Sequence, residues 1–254
     1  MCDNYVFDID GTIVLNNEIL SNQKEKILND LGKTNTIIFA SSRAYRGIKS
    51  VIPESFHNNY LILCNGAIAL FNKKVVARKN IEPNVCIELI HHLEKNNVPF
   101  YLEFGDGIGI SSNKKNDFLD ILIAEASDEY VAVDYENKLD KICKIGIVEG
   151  QSAKYYQQMI ENYYEVSVYQ HADGTADIVS REASKWNMYS SLGLDRKKTV
   201  AFGNDANDYE MLFHADISVA VCPENDKISS IAKYIINDYS SDSLNEMIDK
   251  IIRI

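Results

Sequence analysis

Two aspartates lie two positions apart directly after the first apolar run of the chain, Asp8 and Asp10 in the stretch YVFDIDGT. Carboxylates this close repel each other, so one of them is driven toward its protonated form unless a cation compensates for the charge. The spacing therefore predicts a metal site or an acid/base pair, and the alternative is a solvated turn without chemistry.

Three further polar stretches follow apolar runs later in the chain, and Lys185 precedes the last of them. Their candidate residues are Ser41, Ser42 and Arg43 in ASSR, Asn65 and Gly66 in NGA, and Asn204, Asp205, Asn207 and Asp208 in FGNDANDYEML. Aspartate oxygens are hard ligands that suit Mg²⁺ better than Zn²⁺. A metal ion, hydroxyl donors and a lysine around one carboxylate make a site for an anionic group such as phosphate.

Two other ligand loops are excluded by spacing or by context. Counted from Asp8, a calcium-binding loop needs glycine and glutamate where the chain has Ile13 and Ile19. The stretch FGDGIGI stands between two predicted strands and opens no helix, so a hairpin turn explains it better than a nucleotide-binding loop.

The elements that must position these residues begin with a strand over Tyr5–Asp8 and a helix over Ser21–Leu31, for which Ser21 is a suitable N-cap. The stretches TNTIIFA and NYLILCNG predict two further strands. These strands are apolar on both faces, as in a parallel sheet covered by helices. Ligands of an open α/β sheet bind at the carboxyl ends of its strands, where the polar stretches should converge.

The pattern changes between about Asn80 and Ser180, where PFYLEF, GIGISS, KICKIGIVE, YEVSVYQ and TADIVS predict strands. Helices are expected there near Pro83–Asn96, Lys114–Glu125 and Ser152–Tyr163. After Arg181 the first pattern resumes, with strands at KKTVAFGND, ISVAV and AKYIIN, a helix over Ala206–Phe213 and a terminal helix from Ser243. We therefore predict an α/β fold: a doubly wound, mainly parallel, Rossmann-like core (residues 1–79 and 181–254) with an inserted α+β domain (residues 80–180).

Composition restricts the class of protein. The 254 residues carry a formal net charge of −11 and no basic stripe, which argues against a nucleic-acid partner. The five cysteines are scattered and predict free thiols in a reducing compartment rather than disulfides or a zinc site. No signal peptide and no apolar run of roughly 20 residues is present, so a cytoplasmic protein without a membrane partner is expected.

The polar stretches, taken in order, resemble the four signature motifs of haloacid dehalogenase-like hydrolases: DIDGT, the serine of SSR, the lysine of REASK, and GNDANDYEML. The inserted segment resembles the large cap domain (type IIB) of the Cof-like phosphatases in that superfamily. The similarity spans essentially the whole chain.

The resemblance implies a role for each motif. Asp8 would be the nucleophile that forms an aspartyl-phosphate, and Asp10 the acid/base that serves the leaving group and then water. Ser41 would bind the phosphoryl oxygens and Lys185 would neutralise charge. Metal ligands are expected among Asp8, Asp10 (through its carbonyl), Asn204, Asp205 and Asp208, and substrate contacts at Ser42, Arg43, Asn65, Gly66 and Asn207.

The chain departs from the family pattern at two positions. Asn204 stands where the fourth motif usually has aspartate, and Trp186 stands where glycine usually follows the lysine. Two roles stay open for Asp205: it replaces the lost ligand, or it caps the following helix. For Trp186 we expect packing within a helix.

The resemblance predicts a Mg²⁺-dependent phosphatase, a monomer or homodimer, acting on a small phosphorylated metabolite such as a sugar phosphate. The alternatives are a phosphosugar mutase, which returns the phosphoryl group to a sugar, and a phosphate-binding protein without catalysis. Candidate polar contacts of the cap are Glu103, Asp106, Lys144 and His171.

Overall fold

The computed structural model describes residues 3–110, 117–126, 130–132, 135–148, 157, 160–162, 164–171, 174–223 and 226–253. The chain divides into two units. The first consists of Met1–Arg43, Gly47–Ala77 and Ser184–Ile254, and the second of Ala44–Arg46 and Arg78–Ala183. That the inserted segment acts as a cap stays a prediction.

The strands within the described residues are, in chain order, β1 Asn4–Asp8, β2 Thr36–Ala40, β3 Tyr60–Leu63, β4 Ile68–Phe71, β5 Lys74–Arg78, β6 Phe100–Glu103, β7 Gly107–Ile110, β8 Tyr130–Ala132, β9 Lys144–Ile147, β10 Val166–Gln170, β11 Ala176–Ser180, β12 Thr199–Gly203, β13 Ile217–Val221 and β14 Tyr234–Ile236.

The α-helices are α1 Asn22–Gly32, α2 Tyr45–Val51, α3 Pro83–Lys95, α4 Asp117–Glu125, α5 Lys185–Ser191, α6 Tyr209–His214, α7 Asp226–Ile231 and α8 Ser241–Ile252. The predicted helix over Ser152–Tyr163 lies mostly outside the described residues, although residues 157 and 160–162 are helical. The helix predicted near Lys114–Glu125 corresponds to α4, and its first three predicted residues, 114–116, also lie outside the described residues.

The first unit is built on an eight-stranded sheet with the order β14-β13-β12-β1-β2-β3-β4-β5. The strands from β14 to β3 are parallel to their neighbours, and their residues are almost entirely buried. Both findings confirm the predicted doubly wound α/β core, because buried parallel strands are typical of a sheet that helices cover on both faces.

The hairpin β4–β5 was not predicted from the sequence. Strand β4 runs antiparallel to β3, and Asn72 and Lys73 join β4 to β5 with φ values of 52° and 60°. Two left-handed residues in a two-residue loop are typical of a type I′ turn. The signal was present in the sequence as an asparagine between two β-rich runs.

Side-chain caps account for several helix boundaries. Ser21 accepts a hydrogen bond from the Lys24 N–H at 3.3 Å, which confirms the predicted start of α1. The terminal helix α8 begins at Ser241 and not at Ser243, because Ser240 caps it through the Ser243 N–H. The predicted helix over Ala206–Phe213 is a 3₁₀ turn, Ala206–Asp208, followed by α6.

The second unit contains a six-stranded sheet with the order β10-β11-β9-β6-β7-β8. Within the described residues its strand pairs are antiparallel except for β7 with β8, as the sequence predicted for a largely antiparallel sheet. Helix α3 buries Cys86, Leu89 and Leu93 in a core shared with Leu102 and Ile145 of the sheet. Strand β8 and the 3₁₀ helix Glu136–Lys141 were not predicted.

Within the described residues, no helix combines the length and the apolar character that crossing a membrane requires.

Candidate active site

The candidate site lies where the central strands of the first unit end. Asp8 is the last residue of β1, Ser41 follows β2, and Asn204 follows β12. Strand β1 lies between β12 and β2 in parallel register, with Asp8 opposite Ala40 and Phe7 opposite Phe202. Three of the predicted motifs therefore meet at one edge of the sheet, as the sequence indicated.

A buried ion-pair network joins the first motif to the lysine and the fourth motif. The Lys185 ammonium donates to Oδ1 of Asp8 and to Oδ1 of Asp208, both at 2.6 Å. Ser184 caps α5 by accepting from the Asn187 N–H, so the lysine begins its helix. All three charged residues are at least 96% buried, at 1%, 4% and 0% exposure for Lys185, Asp8 and Asp208.

The network changes the acidity of its members. Burial raises the pKa of Asp8 to about 7, and repulsion by Asp208 adds to this, while Lys185 and Thr12 oppose it. Burial disfavours the charged form of Lys185, but the carboxylates of Asp208 and Asp8 outweigh it and raise the pKa of Lys185 above its ordinary value. The lysine therefore stays charged, and Asp8 is a carboxylate that a further positive charge would stabilise.

The sequence predicted that Asp10 would repel Asp8, but Asp10 is not the acid that raises the pKa of Asp8. Asp10 accepts two hydrogen bonds from Arg43, Nε to Oδ2 at 2.8 Å and Nη2 to Oδ1 at 2.7 Å. The carboxylate of Asp10 is thus held by a bidentate pair on the partly exposed side of the site. The acid that repels Asp8 is Asp208, which sequence spacing could not show because it lies 200 positions away.

The loop after β2 is shaped by Ser41. Its Oγ accepts from the Arg43 N–H at 3.1 Å, and its own N–H donates to the Ile62 carbonyl at 2.8 Å. Ser41 is fully buried, and Ser42 lies half-buried in the same loop. The loop therefore carries a hydroxyl group and, through Arg43, the partner of Asp10.

Thr12 belongs to the site although we did not select it from the sequence. Its Oγ1 lies 2.8 Å from Oδ2 of Asp8 and 3.2 Å from Oδ1 of Asn204. A hydroxyl has one proton and cannot donate to both oxygens. Gly11 permits this approach, because its φ is +74° and a Cβ there would lie 2.3 Å from Nδ2 of Asn204. The only sequence signal was the hydroxyl that ends DIDGT.

The acids of the fourth motif organise its turn. Asp208 accepts from the N–H groups of Asn204 at 3.0 Å and Asp205 at 3.2 Å through Oδ2, while Oδ1 holds Lys185. Asp205 accepts from the Ala206 N–H at 2.6 Å and forms a capping box with Asp208. Of the two roles left open for Asp205, its contacts are those of a cap.

The donor chemistry fits a hard cation that has few carboxylate ligands. Among the described residues, no three His, Cys, Asp or Glu side chains gather closely enough to hold a metal ion. The carboxylate of Asp8 and the amide oxygen of Asn204 both lie within 3.2 Å of the Thr12 hydroxyl. Oxygen atoms of these two kinds, with backbone carbonyls, are ligands that Mg²⁺ accepts.

Two predicted substrate contacts, Asn65 and Gly66, follow β3 and also lie at the site. Asn207 donates through Nδ2 to Oδ1 of Asn65 at 3.1 Å, and Asn65 is 1% exposed. Gly66 lies against the backbone of Ser184, next to Lys185. These residues join the turn after β3 to the fourth motif and to the lysine.

Trp186 packs as expected. Its ring stacks on His214 with centroids 5.1 Å apart and contacts Tyr189 at 5.4 Å.

Three of the four polar candidates in the second unit are engaged in ion pairs. Glu103 is buried with Arg46, and Asp177 binds Lys144 at 3.1 Å and His171 at 3.2 Å. The fourth candidate, Asp106, is exposed.

Comparison with known proteins gives a consistent result. A family model described as haloacid dehalogenase-like hydrolase matches residues 5–248. A Mycoplasma genitalium protein with a provisional phosphatase name, MG265, is 25% identical over 255 residues, which is 91% of each chain. The Escherichia coli 5-amino-6-(5-phospho-D-ribitylamino)uracil phosphatase YbjI is 22% identical, covering 97% of this chain and 94% of its own.

A solved structure of similar fold is the HAD subclass IIB sugar phosphatase BT4131. It superimposes with a TM-score of 0.77 at 18% identity, covering 99% of this chain and all of its own. At this identity the likeness is one of fold.

Proposed function

The chain belongs to the haloacid dehalogenase-like hydrolases, and from this premise we propose that it is a Mg²⁺-dependent phosphatase of small phosphomonoesters, sugar phosphates in particular. The observation that carries the proposal is the buried lysine held at 2.6 Å from both Asp8 and Asp208. A cation fixed beside a carboxylate at the edge of a parallel sheet is suited to a dianionic group that approaches that carboxylate.

In the proposed reaction, a carboxylate oxygen of Asp8 attacks phosphorus and the bond from phosphorus to the ester oxygen breaks. Asp10 gives a proton to the departing oxygen. Asp10 then takes a proton from water, whose oxygen attacks the aspartyl-phosphate, so that the bond to Asp8 breaks and phosphate leaves. Lys185 offsets the negative charge next to Asp8 throughout, and Ser41 contributes a hydroxyl.

Mg²⁺, held by Asp8, the Asp10 carbonyl and Asn204, would add a positive charge beside the phosphoryl oxygens. Asp208 and Asp205 are proposed to position these ligands. Asp208 orients Lys185 and the Asn204 backbone, and Asp205 caps the turn. Ser42 and Arg43 are proposed to contact the phosphoryl side of the substrate.

The direct test is steady release of phosphate from an aryl phosphate, abolished by EDTA and restored by Mg²⁺. Metal-saturated protein that turns over no member of a broad phosphate panel would contradict the proposal. Such a protein with intact phosphate affinity would instead be a binding protein, the alternative that Asn204 suggests. Phosphorus NMR of the products separates hydrolysis from the mutase reaction, because a mutase yields an isomerised ester and not free phosphate.

The same panel tests whether residues 80–180 select the substrate. It should contain hexose and pentose phosphates and a ribityl phosphate of the kind that the name of the E. coli relative describes. A selecting cap predicts that kcat/KM differs by more than about tenfold among esters that share the phosphoryl group. Nearly equal values would show that only the phosphoryl group is recognised.

The metal assignment predicts different effects for Asn204 and Asp205. Asn204→Ala should raise the Mg²⁺ concentration for half-maximal rate by at least about tenfold, which is about 1.4 kcal/mol of binding. Asn204→Asp should lower it, because a carboxylate restores the missing charge. Asp205→Ala is the control: it should leave the Mg²⁺ requirement unchanged and cost only about 1 kcal/mol of stability from the lost cap.

The contrary pattern would identify Asp205 as the ligand. It consists of an unchanged requirement in Asn204→Ala and a tenfold increase in Asp205→Ala, measured as rate against Mg²⁺ concentration.

A further inference from the structure

The turn Cys64–Gly66 between β3 and β4 has an unusual backbone. Its three residues have φ values of 51°, 54° and 89°, so all three lie in the left-handed region. Residues other than glycine rarely adopt this conformation, with asparagine among the commoner exceptions. Contacts from elsewhere in the first unit must therefore hold the turn in place.

Those contacts come from two of the predicted motifs. The Cys64 N–H donates to the Arg43 carbonyl at 2.9 Å, and the Asn65 N–H donates to the Ser41 carbonyl at 3.1 Å. The Asn65 side chain accepts from Asn207 at 3.1 Å. The turn is thus bonded to the loop after β2 and to the turn after β12.

Gly66 brings a third motif against the turn. A Cβ at this position would lie 2.1 Å from the Ser184 carbonyl oxygen, 2.3 Å from its carbon and 2.9 Å from the Lys185 nitrogen. Ser184 is the N-cap of α5, and its carbonyl accepts the Met188 N–H at 3.0 Å. The first turn of the helix that carries Lys185 therefore rests directly on the backbone of Gly66.

We propose that this turn is a positioning element for Lys185: Gly66 fixes how closely the start of α5 approaches β3, and so holds the ammonium between Asp8 and Asp208. A methyl group at Gly66 would force the two backbones apart by about 0.9 Å before the contact reached the 3.0 Å that Cβ atoms respect. Both 2.6 Å contacts of Lys185 would then have to lengthen or re-form elsewhere. The placement of Lys185 does not depend on the proposed function; only the expected effect on catalysis rests on it.

Gly193 provides a matched control for Gly66→Ala. Its φ is also left-handed, at +68°, but a Cβ there would meet nothing closer than Nε of Arg196 at 3.6 Å, an ordinary contact. Gly193→Ala therefore also places alanine at a left-handed φ, with the same change in the unfolded chain, but without a collision near Lys185. A difference between the two variants isolates the contact with Ser184.

The first readout requires no turnover: acylation of lysine amines in the folded protein, quantified by peptide mass spectrometry. In the native protein Lys185 is 1% exposed and should be protected, as should Lys24, which is 7% exposed and donates to the Ile13 carbonyl. We expect Gly66→Ala to increase labelling of Lys185 by at least about tenfold, equivalent to 1.4 kcal/mol, while Lys24 stays protected. Gly193→Ala should change neither.

The second readout is the split between kcat and KM on an aryl phosphate. Gly66→Ala should lower kcat by at least about tenfold with KM within about twofold, because the lysine acts on charge that develops in the transition state. Labelling and kcat equal to those of Gly193→Ala would overturn the proposal, as would equal deprotection of Lys24 and Lys185.

If Gly66→Ala does not fold, Asn65→Gly keeps the left-handed backbone and removes the bond to Asn207. Increased labelling of Lys185 alone supports the proposal in that variant, and unchanged labelling overturns it. A native protein that hydrolyses no phosphate, together with selective deprotection of Lys185 in Gly66→Ala, would refute the proposed function and leave the positioning role standing.

Discussion

Asp8→Asn is expected to reduce turnover by at least about a hundredfold while the protein stays folded, because the covalent step loses its nucleophile. Asparagine has nearly the shape of aspartate, and its amide oxygen can still accept from Lys185. Its amide nitrogen then takes the place of Oδ2, and the Thr12 hydroxyl can accept from it instead of donating. Steady-state release of phosphate measures the loss. Retention of more than roughly a hundredth of the native rate would remove Asp8 from the role of nucleophile.

Asp216→Asn is the matched control for this substitution. Asp216 accepts from the Thr199 N–H at 2.7 Å, and it stands directly before β13, at the amino ends of the same parallel strands. The chemical change is identical, but it lies at the edge of the sheet opposite the site. Its turnover should equal that of the native protein.

Stability against pH gives a second measure of the same substitution. Burial raises the pKa of Asp8 from 3.8 to about 7, so the folded protein binds a proton that the unfolded chain has released. The stability that this group contributes is fully present below about pH 4 and is lost as the pH rises to about 7. In EDTA, the melting temperature of Asp8→Asn should therefore rise relative to that of the native protein between these two pH values.

The positions of the motifs could be predicted from the sequence because they depend on chain order and on the geometry of a parallel sheet. Apolar runs fixed β1, β2, β3 and β12, and polar residues followed each of them. A local cap, such as Ser21 on α1, can be predicted equally well from the sequence, because donor and acceptor lie within one turn of helix.

The pairings inside the site could not be predicted in the same way. The bonds from Arg43 to Asp10 and from Lys185 to Asp208 join residues 33 and 23 positions apart on different elements. Which side chains meet depends on the approach of those elements, to within about an ångström, and on which polar groups are buried together. The contact of Gly66 with Ser184 is a backbone approach, for which sequence offers only the glycine itself.

Asp10→Asn should be the second severe substitution, with a loss of roughly 10²–10⁴-fold, the usual range for a general acid or base. If Asp10 is the general acid, the loss of activity in Asp10→Asn should depend on the leaving group. An alkyl phosphate such as glycerol phosphate expels a strong base that needs a proton, whereas 4-nitrophenolate is a weak base and leaves with little help. The loss in kcat/KM, which reports the step that breaks the ester bond, should therefore be larger for the alkyl ester.

Arg43→Met tests the positioning of this acid, because Arg43 holds the Asp10 carboxylate through both oxygens but transfers no proton. Freed from this pair, Asp10 keeps its carboxyl group and loses its orientation, so the alkyl ester should again lose more activity than the aryl ester. The loss on the alkyl ester should be smaller than that of Asp10→Asn, because the proton donor is still present. Equal losses on the two esters in Asp10→Asn itself would show that Asp10 positions the substrate or the metal and does not protonate the leaving oxygen.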